Sequence, residues 1–190
     1  ITIDTNAFNS CYSLINVTMS ESLTNVNDSA FNTCYSLTNI ILPKNLINIG
    51  SNAFYNCCSL TNIIIPENIA TIKTATFCFC YALTNVILPE NLTQLENDSF
   101  KSCFSLSNVI LPKKLTNIGS NAFYNCYALI DIIIPENVIS LGNGSFNNCY
   151  SLTSIIIPDN ISVIDMNTFV SCYSLTNVIL PENLTDIKAY

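Results

Sequence analysis

Apolar residues recur along this chain at one fixed distance, not in helical or simple alternating runs. Phe occupies positions 8, 31, 54, 77, 100, 123, 146 and 169, a step of 23 residues kept through eight units without insertion or deletion. Cys keeps the same step at 11, 34, 57, 80, 103, 126, 149 and 172, and Leu keeps it at 14, 37, 60, 83, 106, 129, 152 and 175. Proline holds a further column at 43, 66, 89, 112, 135, 158 and 181, with Ser20 in its place in the first full unit. Self-similarity at such a period marks a repeat architecture. A single 23-residue unit would leave its Leu, Ile and Phe side chains in water, whereas coiling each unit onto the next buries those columns continuously. The pattern predicts a mainly β solenoid of eight turns.

Within a unit, the segment from Leu60 to Pro66 is rich in β-branched residues and ends at a residue without an N–H, so it reads as a short strand. One strand per turn is expected in a parallel β-sheet on one face, with short turns, 3-10 or short strand segments on the other. The period never slips and no Gly/Ser- or Pro-rich linker interrupts it, so residues 1–190 are expected to form one domain. The chain opens inside a unit at Ile1-Thr2-Ile3 and closes just after Ile187, without a signal peptide or capping unit, which reads as a fragment of a longer chain.

Uniform apolar columns stack inward in a solenoid, which assigns the Phe, Leu and Ile/Val columns to the core. The cysteine column reads as small buried hydrophobes filling the bend after Phe, because in-register neighbours point the same way and suit a disulfide poorly. Cys58 and Cys78 lie outside it; Cys58 takes a place held elsewhere by Tyr12, Tyr35, Tyr81, Phe104, Tyr127, Tyr150 and Tyr173. Neither offers convergent thiolates at CxxC-like spacing, so no metal site is expected, and no cofactor pocket is suggested.

The run Leu37-x-x-Ile40-x-Leu42-x-x-Asn45 matches the leucine-rich-repeat strand signature, and Asn recurs in its last place at 68, 91, 137, 160 and 183, with Ser22 and Lys114 as departures. These asparagines are expected to form a buried hydrogen-bonded ladder. The fuller pattern, with Ala/Ser-Phe-x-x-Cys added, resembles the BspA-like (Treponema-type) leucine-rich repeats from Ile3 to Ile187. The resemblance implies a curved solenoid of the kind found in surface proteins of bacteria and unicellular parasites. It further implies a role in adhesion to host proteins or other cells, a cell-surface or secreted location, and no catalytic residues.

Charge narrows the function further. Six cationic against thirteen acidic residues give a net charge of -7, with no arginine in the sequence, so the cationic footprint needed for nucleic acid is missing. The absence of His removes the commonest general base, leaving unpaired carboxylates and thiols, and an enzyme is not expected. A hydrophobic fraction of 49% with mean hydropathy +0.41 belongs to a chain that folds. No membrane insertion is expected.

Alternation along the strands places Asn39, Asn62, Asn85, Asn108, Asp131, Ser154 and Asn177 outside, followed by Ile41, Ile64, Ile87, Ile110, Ile133, Ile156 and Ile179. Seven isoleucines in register form an apolar stripe, the mark of an interaction surface. The competing reading makes them β-forming filler, partly covered by Thr38, Thr61, Thr84, Thr153 and Thr176. The charged residues after the prolines, such as Glu136, Asp159 and Glu182, read as a solvated edge. Two functions follow: a protein-protein interaction module that adheres through this face, or a structural unit that self-associates by stacking through uncapped solenoid ends.

Overall fold

The computed structural model describes residues 1–188. Successive 23-residue turns coil in parallel register, each strand pairing with its counterpart one turn on, as in Asn62↔Asn85 and Ile63↔Val86. The asparagine-bearing sheet contains Asn16–Val17, Asn39–Ile40, Asn62–Ile64, Asn85–Ile87, Asn108–Val109, Ser154–Ile156 and Asn177–Ile179. Asp131 joins it only through isolated bridges to Asn108 and Ser154.

The other face carries short strand segments, one of the alternatives expected there, so most turns supply two strands. A second set runs Thr2–Ile3, Asn25–Val26, Asn48–Ile49, Thr71–Ile72, Gln94–Leu95, Asn117–Ile118, Ser140–Leu141, Val163–Ile164 and Asp186–Ile187. These pair in parallel at the same 23-residue offset, for instance Asn117↔Gln94 and Asn117↔Ser140. Their inward residues Val26, Ile49, Ile72, Leu95, Ile118 and Leu141 are buried. Burying that side chain while its neighbour faces out imposes the same period-two geometry that the first sheet has.

Between the second sheet and the next strand of the first, the chain turns around Phe. Phe31, Phe54, Phe77, Phe100, Phe123 and Phe146 are fully buried. Their rings form a nearly parallel stack with Phe8 and Phe169, centroids 5.1–5.8 Å apart. Main-chain bonds link these arcs as they link strands: Asn52, Phe54 and Asn56 donate their N–H groups to the carbonyls of Thr74, Thr76 and Cys78. The alternation needs left-handed residues on either side of Phe, here Asn52 (φ 55) and Asn56 (φ 60). Asn and Ser tolerate that region and recur there. Thr33, Ala75 and Phe79 are less suited residues that adopt it all the same.

The asparagine ladder exists, but it is exposed instead of buried. The Nδ2 groups of Asn45, Asn68, Asn91, Asn137 and Asn160 donate to the carbonyl of the residue 24 positions earlier, at 2.7–3.4 Å. The ladder lies on the outer bend after the proline, where each amide reaches back over one turn. Lys114, which departs from Asn, keeps the connection by donating from Nζ to Asn91 Oδ1 at 2.7 Å.

Candidate functional site

Both strand sets bury residues in one shared core, and the first leaves its alternate residues in solvent. Asn39, Asn62, Asn85, Asn108, Asp131 and Asn177 are exposed and Ser154 is half-buried. All seven isoleucines from Ile41 to Ile179 are exposed, and they lie side by side. The threonines do not cover them. Thr84, Thr153 and Thr176 turn their hydroxyls to carbonyls of the preceding turn at 3.1–3.4 Å, and Asn62 Nδ2 donates to Thr61 Oγ1. Saturating the hydroxyls on the main chain leaves the isoleucine methyls without a polar lid.

The stripe is not even. Where the strands remain paired as far as the isoleucine, Ile87 and Ile179 are 50% and 49% exposed; at the opened turns Ile110 and Ile133 reach 79% and 82%. An open groove of about 530 Å³ lies there, bounded by the chain from Asn108 to Lys113 and from Asp131 to Asn137. A smaller one of about 270 Å³ lies between Ile87 and Ile110. Sequence reasoning placed Asp131 on this face but did not foresee the groove; the available signal was that Asp131 is the one charged member of its column. Asp131 Oδ1 accepts from the Thr153 hydroxyl at 3.2 Å.

The remaining chemistry is muted. Among the described residues, no three His, Cys, Asp or Glu side chains converge to hold a metal ion. Burial is the first cause raising the thiols, which lifts Cys78 to about 12 and Cys34 to about 11, the second cause being Asp98 for Cys78 and Cys11 for Cys34. A thiol held protonated is a poor nucleophile. The tyrosine column is a second partly exposed feature, with Tyr81, Phe104, Tyr127 and Tyr150 stacked at 4.6–4.7 Å. Those ring faces are occupied by one another, leaving edges for any ligand. No helix among the described residues is long and apolar enough to cross a membrane.

This geometry is shared with known proteins. A leucine-rich-repeat protein from Bacteroides ovatus is 31% identical over 93% of this chain with a TM-score of 0.84; this chain spans 48% of its length. The T. pallidum leucine-rich-repeat protein is 28% identical, with 78% of this chain and 72% of that one covered and a TM-score of 0.74. A leucine-rich cell surface protein from Faecalibacterium prausnitzii, 23% identical with 99% and 76% coverage and a TM-score of 0.60, shares the fold. No curated protein matches. The BspA-type leucine-rich-repeat region matches residues 1–130 and 93–190 in six copies. With its period, strand signature and solenoid geometry all in agreement, this chain belongs to the BspA-type leucine-rich-repeat family.

Proposed function

We propose that this chain is a non-enzymatic protein-interaction module that adheres to a protein partner through the Asn/Ile sheet face. The observation that carries the reading is the contiguous stripe of seven exposed isoleucines flanked by polar asparagines. A large apolar strip rimmed by polar groups is costly to leave in water and favourable to cover, at about 1.5–3 kcal/mol for each fully buried aliphatic side chain. A cell-surface or secreted location belongs to the same proposal, as the family resemblance implies, and so does action of residues 1–190 as one domain. A foreign partner fits better than a second copy, because a net charge of -7 opposes self-association.

Beads coated with the chain, counted on cultured epithelial cells, test the reading. Ile87→Asp combined with Ile110→Asp is expected to reduce attachment at least about tenfold, since central apolar anchors dominate binding energy. Attachment equal to that of the unaltered chain overturns it.

A further inference from the structure

The parting of the sheet points to a particular occupant. Building on the reading above, we propose that the groove between the Asn108 and Asp131 strands receives an extended segment of a partner protein. That segment seats an apolar side chain between Ile110 and Ile133 and a lysine or arginine against Asp131.

Three independent features converge there. The first is the apolar floor: Ile110 and Ile133 are the adjacent pair of the stripe that stands furthest into solvent. The second is unfinished main-chain pairing. In the closed parts of the sheet, the Ile65 and Ile157 amides donate to the Ile87 and Ile179 carbonyls at 2.9 Å. The equivalent amide of Leu111, which faces the Asp131 turn, has no hydrogen-bond partner among the described residues, as is also the case for Leu42, Leu88 and Ile134 toward their own following turns. Main-chain groups in a groove are ordinarily satisfied by something, and an extended peptide offers both donors and acceptors in the required alternation.

The third feature is charge. Asp131 forms no salt bridge among the described residues, its one side-chain partner being the Thr153 hydroxyl. Lys113 and Glu136 also line the groove, and their opposite formal charges sum to zero. The uncompensated charge is therefore the carboxylate beside the apolar floor, in a chain already carrying -7. An extended segment alternates its side chains, so an apolar residue on the isoleucines puts its second neighbour on the same face, where a cation complements Asp131 and a carboxylate is repelled.

Two labelled peptides, one repeating Lys-Ser-Val-Ser and the other Glu-Ser-Val-Ser so that the charged and apolar side chains share a face, discriminate this by fluorescence anisotropy with the whole chain. The Lys/Val peptide is expected to bind about tenfold more tightly, and less so as salt rises. Asp131→Asn installs the residue that the same column carries in most other turns, so it preserves the fold; it should weaken the Lys/Val peptide about three- to tenfold and flatten its salt dependence. Ile133→Asp should remove binding, while Ile41→Asp, far along the stripe, should leave affinity within about twofold. Binding of the Lys/Val peptide that ignores Asp131→Asn, or that Ile41→Asp damages as much as Ile133→Asp, overturns the groove while leaving the adhesive face standing. Absence of binding by either peptide also overturns it, whereas failure of the adhesive reading shows only in the bead assay.

Discussion

The thiol of Cys103 donates a hydrogen bond to the carbonyl oxygen of Phe77, 3.2 Å away and 26 residues earlier in the chain. The same carbonyl accepts the Cys80 amide of its own turn at 3.3 Å, so the Phe turn and the next Cys are tied through one oxygen. The bond recurs from Cys57 to Phe31, Cys80 to Phe54, Cys126 to Phe100 and Cys149 to Phe123. Cysteine suits the column because it fills a small apolar volume while retaining a weak donor.

This column makes stability depend on alkaline pH. Burial, reinforced by the neighbouring thiols, pushes Cys103, Cys80 and Cys149 well above the ordinary value, and burial alone pushes Cys172 up to about 11. Below the unfolded thiol value, near 9, both states keep their protons. Between there and the folded values only the unfolded chain releases them, so protons bound in the folded state exceed those in the unfolded state and stability falls as pH rises. Chemical denaturation at pH 8 and pH 10.5 is expected to show a lower midpoint at the higher pH; an unchanged or higher midpoint contradicts the buried thiol column.

The ring stack supplies a second test. Phe100 is fully buried between Phe77 and Phe123, with centroids 5.4 and 5.7 Å away. Phe100→Ala removes contacts on both sides and should cost about 3–5 kcal/mol. Asn108→Ala, on the exposed face, should cost less than about 0.5 kcal/mol. Comparable losses in urea denaturation would mean that inside and outside have been interchanged.

Gly142 tests how closely adjacent turns approach. A Cβ there would stand 2.3 Å from the Ser120 nitrogen and 2.6 Å from the Gly119 carbonyl carbon, both main-chain atoms that cannot swing aside. Gly142→Ala is expected to destabilise by about 1–3 kcal/mol through forced backbone displacement. Thermal unfolding within a degree of the unaltered chain would show that the turns separate without cost.

Much of the fold was legible because the period is so regular. The Phe, Cys and Leu columns could each be placed in the core from spacing alone, since only coiling buries all three. Asn39 and Ile41 could be placed outside because strand residues two apart share a face. The second sheet was harder to read. Asn48–Ile49 and Gln94–Leu95 are two-residue strands, too short to carry a pattern of their own, and they exist through pairing with segments 23 residues away. The exposure of the Asn45 and Asn68 ladder was missed because a hydrogen bond to main chain needs no burial, and the direction of the post-proline bend is a three-dimensional property.

The sequence by itself determined the eightfold repetition, the residues that fill the core and the face that carries the isoleucine stripe, because periodic apolar columns have one economical way to leave water. The tertiary structure alone decided where that face opens. Ile64 and Ile110 occupy the same column, yet the first lies in a strand that stays paired and the second stands at the edge of a groove. Whether neighbouring turns complete a main-chain hydrogen bond depends on how the coiled strands lie against one another, which no single turn specifies.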